Sequence, residues 1–169
     1  AAEPRLDGFT SLTTCAGEPD KAPFGPDEHI VILAGSCGTW SEKMVSDYEP
    51  MVRFAFEGFQ GTVCSGGTQS GVAGVVGGLP DQAGKMRKLA YIPSGHPAED
   101  REHASYRLIR TTSGSYTPLD PVMLWSDILV TGIDPQQVRL LGIGGGRLSA
   151  FEYQLALLLG AKVGVLAAS

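Results

Sequence analysis

Residues 62–72, which read Thr-Val-Cys-Ser-Gly-Gly-Thr-Gln-Ser-Gly-Val, decide the fold of this chain. The apolar segment that ends at Cys64 indicates a strand, and the small-residue pattern over 68–79 indicates a helix. In the turn at 65–68, glycines let the backbone approach an anion and Thr68 can cap the helix. Because a helix N-terminus binds phosphate through free N–H groups, the stretch predicts either a phosphate site or a tight turn without a ligand.

Two further glycine turns follow predicted strands. Residues 29–34 form a continuous apolar run, which is typical of a strand buried on both faces, and the turn at 35–38 follows it. Residues 139–143 lead in the same way into the three glycines at 144–146. The carboxyl ends of parallel strands lie at one edge of a sheet, so we expect all three turns to converge there.

The remaining pattern alternates helices with strands. A helix is predicted after Asp47 with Pro50 in its first turn, a second from Pro118 to about 128, and a third capped by Ser149 and Glu152 at capping-box spacing. Strands are predicted at 88–92 and 162–166; residues 106–110 alternate as a short strand can, and 127–131 could enter a strand. The pattern predicts a Rossmann-like, doubly wound α/β fold with a parallel sheet of about five main strands in the order 3-2-1-4-5.

Composition narrows the classes of function. The 169 residues predict one domain at 29–169, preceded by an arm or linker at 1–28, and the chain could be a fragment of a longer protein. A net charge of −5 without a basic run argues against nucleic-acid binding. Three cysteines, an odd number without a CxxC motif, predict reduced thiols and a cytoplasmic protein, and no metal site is expected. No apolar run is long enough to cross a membrane, so no direct membrane contact is expected.

The motifs at 66–72 and 145–152 resemble the SLOG superfamily, over residues 29–166. That superfamily includes the Lonely Guy phosphoribohydrolases, the DNA-processing Smf proteins and the N-terminal sensor region of melastatin-type TRP channels. The Gly-Gly-Thr-x-x-Gly-Val spacing and the loop at 92–95 look most like the sensor branch and its prokaryotic members. The resemblance implies a sensor that binds an ADP-ribose-like or cyclic ADP-ribose-like nucleotide, in bacteria within antiviral systems that respond to TIR enzymes.

A hydrolase is the alternative. Lonely Guy enzymes carry Pro-Gly-Gly-x-Gly-Thr-x-x-Glu, where this chain has Gly144, Leu148 and Ser149 in place of the Pro, the later Gly and the Thr. The resemblance also places a catalytic Arg on the preceding helix, but residues 118–128 contain no Arg or Lys. No catalytic residue is therefore predicted. A dinucleotide-dependent oxidoreductase is disfavoured because the first turn lacks G-x-G-x-x-G and the second strand ends at Cys64 without an acidic residue.

The candidate ligand residues come from the three turns, the loop after the third strand and nearby charged positions. They are Gly35, Ser36, Cys37, Gly38, Thr39, Ser65, Gly66, Gly67, Thr68, Gly71, Ser94, Arg110, Gly145, Gly146, Arg147, Ser149 and Glu152. Residues 65–68 are expected to hold one phosphate, and Gly145, Gly146 and Ser149 a second phosphate or its ribose. If Gly67 has an ordinary φ, a side chain there is expected to block the ligand but spare the fold.

Several of these positions have a second interpretation. Glu152 can bind a ribose, act in hydrolysis or serve only as a capping-box carboxylate. Arg110 and Arg147 can pair with phosphates or be solvated surface residues. The base is expected near residues 35–40, where Trp40 could stack on it, as could Tyr116. The expected partner is a small nucleotide rather than a resident cofactor, and a fused effector domain and a homo-oligomer are left open.

Overall fold

The computed structural model describes residues 23–35, 39–81, 84–96 and 102–166. The elements, in chain order, are β1 (Ile30–Gly35), α1 (Thr39–Ala55), β2 (Gly61–Ser65), α2 (Gly71–Gly77), β3 (Met86–Pro93), β4 (Arg107–Thr111), α3 (Leu119–Val130), a 3-10 turn (Pro135–Gln137), β5 (Arg139–Ile143), α4 (Arg147–Leu159) and β6 (Lys162–Leu166). In these ranges, no helix combines the length and the apolar character that a bilayer span requires.

The described strands form one parallel sheet in the order β4-β3-β2-β1-β5-β6. The predicted order of five strands corresponds to β3-β2-β1-β5-β6 and is confirmed. The count of five is wrong, because β4 adds a sixth strand at the edge beside β3, with Leu89 opposite Arg107. This strand carries two arginines in five residues, so its sequence lacks the apolar run of a central strand.

The sheet has helices on both faces, as in a doubly wound fold. Along β1, Ile30 and Ile32 enter the core beneath α3 and α4, while Leu33 enters the core beneath α1 and α2. Helices α1 and α2, which connect β1 to β2 and β2 to β3, pack on one face of the sheet. Helices α3 and α4, which lead into β5 and β6, pack on the other face. The strand order therefore reverses at β1. Ligands of such sheets bind beyond the carboxyl ends of the strands at this reversal.

Helix α1 differs from its prediction at the start. It begins at Thr39, so Asp47 is not the N-cap but lies within the helix and pairs with Lys43 at 2.8 Å. Pro50 also lies inside the helix and not in its first turn. Proline is usual in the first turn of a helix but also occurs inside a helix, where it costs a hydrogen bond. Because Pro50 fits both positions, the sequence did not place the start of α1 correctly.

The later helices shift by a few residues. Helix α2 begins at Gly71 with Ser70 as N-cap, so Thr68 does not cap it. Helix α3 runs to Val130, which rules out a strand entry at 127–131. Helix α4 begins at Arg147 with Gly146 as N-cap, so the predicted capping box is wrong.

Residues 23–28 pack on the amino ends of the strands. Phe24 is buried in the core, and the Glu28 carboxylate accepts hydrogen bonds from Thr62 and Arg87. Arg87 also donates to the carbonyl of Pro23 at 3.1 Å. Burial raises the pKa of Glu28, whereas the hydrogen bonds from Arg87 and Thr62 lower it. The hydrogen bonds have the larger combined effect, so the pKa of Glu28 lies below its ordinary value.

Glu28→Gln is expected to lower the free energy of unfolding at pH 7 by about 1–2 kcal/mol, because it removes a charge-assisted network around a half-exposed arginine. A lowered pKa in the folded state means that this contribution is present above the ordinary pKa of a glutamate and is lost as the pH falls through the folded value. Urea unfolding of both proteins between pH 3 and 7 measures it. A difference that does not shrink toward pH 3 would contradict the assignment.

Candidate functional site

A cavity of about 340 Å³ opens beyond the carboxyl ends of β1 and β2. Its walls come from these two strands, the loop into α2, and the first turns of α3 and α4. Small-molecule sites in proteins occupy about 300–1,000 Å³ and lie at this point of doubly wound sheets. The cavity is therefore the candidate ligand site of the domain.

Eight of the candidate residues that the structure describes line this cavity. The first two turns contribute Gly35, Ser65, Gly66 and Thr68. The third turn and α4 contribute Gly146, Arg147, Ser149 and Glu152. The expected convergence of the second and third glycine turns on one edge is thus present, and ligand binding by these residues stays a prediction.

The loop between β2 and α2, residues 66–70, forms one wall of the cavity. Gly66 faces the cavity, and a Cβ built there meets only Ala73 at 3.6 Å. Gly67 has a φ of +79°, and a Cβ built there lies 2.6 Å from Cβ of Ala90 and 2.8 Å from Cδ1 of Ile92. The condition of an ordinary φ at Gly67 is therefore not met, and this glycine lets the loop pack on β3 and does not line the cavity.

The outer side of the same loop is held by residues 102–106. Thr68 forms an antiparallel bridge with Glu102, and the His103 N–H donates to the carbonyl of Gly67 at 2.9 Å. Arg110 forms an ion pair with Glu102. The structure therefore places Arg110 at the anchor of this segment and outside the cavity wall, away from its predicted phosphate role.

Helix α4 presents its N-terminus to the cavity. Gly146 is its N-cap without a side-chain cap, and Arg147, Leu148 and Ser149 follow in the cavity wall. The first N–H groups of a helix have no partner within the helix and carry its positive dipole end. In the described part of the wall, Arg147 is the only cation, so this end of the cavity is suited to an anion.

Glu152 lies one turn further along α4, also in the wall of the cavity. Its side chain is half-buried, and no residue in the described ranges donates a hydrogen bond to its carboxylate. Burial raises the pKa of Glu152 from its ordinary 4.5 to about 7. Because α4 begins before Ser149, the interpretation of Glu152 as a capping residue is wrong, and its carboxyl group is available to a ligand.

Among the lining residues that the structure describes, two tyrosines form the aromatic part of the wall. The Tyr116 hydroxyl donates to the carbonyl of Gly66 at 2.6 Å, and its ring packs edge-on against His96 with centroids 5.3 Å apart. Tyr91, on β3, donates its hydroxyl to the buried carboxylate of Asp127. Burial, and then the bond to Asp127, raise the pKa of Tyr91 well above its ordinary value, so this phenol stays protonated.

Asp120 fixes the loop between β4 and α3. Its buried carboxylate accepts hydrogen bonds from the Thr111 hydroxyl at 2.6 Å, the Ser113 hydroxyl at 3.1 Å and the Thr117 N–H at 2.7 Å. This carboxylate lines the cavity, but its partners show that it organises the loop that carries Tyr116.

Other candidate residues lie outside the wall. Gly67, Gly71, Ser94, Arg110 and Gly145 belong to described parts of the chain but do not line the cavity. Ser36, Cys37 and Gly38 lie outside the described residues, and Thr39 begins α1 with a side chain that is not described.

Sequence reasoning missed much of the apolar wall. These residues come from strand ends and from the first turns of three helices, and they include Ile32, Val72, Tyr91, Pro121, Leu124 and Leu148. They look like ordinary core residues in sequence, and only the packing of α2, α3 and α4 around β1 exposes them to a common space. Ser70 was predicted only as part of the glycine stretch, although it also lines the cavity.

No protein-family model matches this chain, and no curated protein does. Similar solved structures exist, with 22 matching chains. One is described as the molybdenum cofactor binding protein from the phototrophic bacterium Rippkaea orientalis. It is 12% identical, with a TM-score of 0.40, over 83% of this chain and 90% of that chain. A likeness of this size does not identify a ligand for the present chain.

Proposed function

We propose that this domain binds a nucleotide, of the ADP-ribose or cyclic ADP-ribose type, in the cavity beyond β1 and β2. The observation that supports the proposal is the set of groups that line one cavity. Arg147 and the N-terminus of α4 line it, the Glu152 carboxyl group follows on the same helix, and apolar and aromatic side chains complete the wall. A nucleotide presents an anion, hydroxyl groups and a flat base, and needs these three environments.

The phosphate is assigned to α4 rather than to the loop at 65–68. Helix α4 has thirteen residues and carries Arg147 in its first turn, whereas α2 has seven residues and no basic residue at its start. Glu152 then receives the ribose hydroxyls, and Gly66 with Tyr116 faces the base. A role in bacterial antiviral signalling, which the sequence resemblance implies, remains part of the proposal.

Hydrolysis of nucleoside monophosphates is the second candidate, and Glu152 is the observation that favours it. A carboxyl group with a pKa near 7 is suited to general acid–base catalysis. The cavity side of α3, however, is formed by Asp120, Pro121 and Leu124, so it supplies no cation to the ligand. We expect no enzymatic turnover. Steady release of ribose 5-phosphate from AMP by wild type, lost in Glu152→Ala, would establish the hydrolase instead.

The direct test is a thermal-shift screen against ADP-ribose, its cyclic isomers, NAD and cyclic dinucleotides, followed by calorimetry. A ligand at 100 times its Kd stabilises the fold by about 2.7 kcal/mol, which gives a readily measured rise in Tm. Selective stabilisation by ADP-ribose or a cyclic isomer supports the proposal. No shift with any member of the panel at millimolar concentration would contradict it.

Gly146→Val is expected to weaken the binding of ADP-ribose at least tenfold, about 1.4 kcal/mol, because its side chain enters the space in front of α4. No atom of the described residues lies within 4 Å of a Cβ at Gly146, and its φ of −104° suits any residue. Stability without ligand is therefore expected to fall by less than about 1 kcal/mol. Calorimetry measures the affinity and urea unfolding the stability.

Gly25→Val is the matched control for Gly146→Val. A Cβ at Gly25 likewise has no atom within 4 Å, but this glycine lies near Glu28 at the opposite edge of the sheet. Its substitution is expected to leave affinity unchanged. Equal affinities in wild type and a folded Gly146→Val protein would remove the α4 N-terminus from the site.

A further inference from the structure

The Glu152 carboxyl group has an unusual setting for an acidic side chain. It is part of a largely apolar cavity wall, together with residues such as Ile32, Ala34 and Leu124. No described residue donates a hydrogen bond to it, and Arg147, one turn away on the same helix, forms no ion pair with it. Ionised carboxylates in apolar surroundings are costly unless they are paired, so this carboxyl group is stabilised by holding a proton.

The polar groups on the neighbouring strands do not pair with the Glu152 carboxyl group, so they do not stabilise its ionised form. From β2, Cys64 belongs to the core beneath α3 and α4, and its thiol is kept protonated because burial raises its pKa. From β3, the Tyr91 hydroxyl donates a hydrogen bond to Asp127 and is therefore not available as a donor to Glu152. Burial also raises the pKa of Asp127 above its ordinary value.

The polar groups on the helices and loops are likewise engaged elsewhere. Within α4, the Tyr153 hydroxyl donates to the carbonyl of Gly144 at 2.7 Å. From α3, the Asp120 carboxylate accepts its bonds from the loop before that helix. His96 packs edge-on against Tyr116 and does not line the cavity.

We propose that ligand capture by this domain is coupled to a proton on Glu152, which the free protein holds and which a ligand that donates hydrogen bonds to this carboxyl group displaces into solvent. The inference rests on the proposed function, because it requires a hydroxyl-bearing ligand such as a nucleotide in the cavity. The exchange is a binding step without bond formation in the ligand: the carboxyl proton passes to buffer, and the resulting carboxylate accepts the hydroxyl hydrogens of the ligand.

The coupling gives affinity a defined dependence on pH. With a free-state pKa of about 7, the carboxyl group is mainly protonated at pH 6 and mainly ionised at pH 8.5. A ligand that needs the carboxylate must first remove the proton at pH 6, so affinity rises with pH and levels off above about 8. The limiting slope below pH 7 is tenfold per pH unit for one proton. A ligand that accepts a hydrogen bond from the acid would show the opposite sign.

The first experiment needs no ligand. Carbon-13 NMR of side-chain carboxyl groups in the ligand-free protein, with Glu152→Gln to assign the signal, follows the titration of Glu152 between pH 4 and 9. The expected result is a resonance that titrates near pH 7 and is missing from the variant. Titration between pH 4 and 5 would overturn the inference.

The second experiment uses ADP-ribose as the probe, with calorimetry at pH 6 and 8.5 in buffers of different ionisation enthalpy. Wild type is expected to release close to one proton per ligand at pH 6 and almost none at pH 8.5. Glu152→Gln is expected to release none at either pH, while His96→Gln keeps the wild-type behaviour. Proton uptake by wild type at pH 6, or release that persists in Glu152→Gln, would overturn the coupling.

The two experiments separate the two failures. If no nucleotide of the screened panel binds, the proposed function fails and the coupling to a ligand fails with it, while the NMR titration still reports the proton on Glu152. If ADP-ribose binds without proton release at pH 6, the proposed function stands and the coupling alone is overturned.

Discussion

Gly67→Val is expected to lower the free energy of unfolding by about 4 kcal/mol, with or without a ligand. The φ of +79° at Gly67 costs a β-branched residue about 1–3 kcal/mol. A Cβ there would also lie 2.6 Å from Ala90 Cβ and 2.8 Å from Ile92 Cδ1, and such overpacking costs about 1–3 kcal/mol. Urea unfolding of wild type and variant measures the sum.

Two other glycines separate these contributions. Gly132 has the same φ of +79°, but a Cβ there would have no atom within 4 Å, so Gly132→Val is expected to show only the backbone cost, about 1–3 kcal/mol. Gly66→Ala adds a methyl group in ordinary contact with Ala73 at 3.6 Å and is expected to change stability little. If Gly67→Val and Gly132→Val lower the free energy of unfolding equally, the close packing of Gly67 on β3 does not contribute to the loss in Gly67→Val.

The pair Gly66 and Gly67 shows why a glycine motif is ambiguous in sequence. A glycine can be needed because a ligand approaches, because φ is positive or because another chain segment lies where a Cβ would be. In this chain Gly66 borders the cavity, whereas Gly67 turns the backbone and packs on β3. The spacing of the motif is the same for both interpretations, so only the direction of the absent Cβ distinguishes them.

The sheet was largely predictable because buried parallel strands have a simple sequence pattern. The bounds of β5 and β6 agree with the predicted 139–143 and 162–166, and the order of the five main strands is confirmed. The edge strand β4 was harder, since Arg107 and Arg110 both remain exposed and break the apolar run. The start of α1 could not be placed from a proline that is allowed in two positions.

The site was predictable to the extent that it depends on where strands end. Ser65 is the last residue of β2 and Gly146 lies three residues after the end of β5, so the topology brings them to one edge. The position of Arg110 depends instead on its register beside Ile92 and on the pairing with Glu102, which lies eight residues away in a segment with no recognisable pattern. Contacts that depend on tertiary packing leave no periodic signal in the sequence. The position of Tyr116 likewise depends on its hydroxyl bond to Gly66 and on the loop that Asp120 organises.

Asp120→Ala is expected to lower the free energy of unfolding by about 3 kcal/mol. It removes a buried, charged acceptor from three donors, and it leaves the Thr117 N–H and the buried Thr111 hydroxyl without this partner. It also removes the acidic residue in the first turn of α3, where a negative charge is favourable. Urea unfolding at pH 7 measures the loss.

Asp120→Asn and Ser113→Ala are the matched controls. The asparagine keeps one acceptor oxygen and the size of the side chain, so it is expected to cost about half as much, and the loss of the 3.1 Å bond from Ser113 is expected to cost under about 1 kcal/mol. Since the same loop holds Tyr116 against the carbonyl of Gly66, Asp120→Ala should also weaken ADP-ribose binding under conditions where the variant is fully folded. A stable Asp120→Ala protein with unchanged affinity would show that Tyr116 is positioned by its own bond to Gly66 and not by the carboxylate of α3.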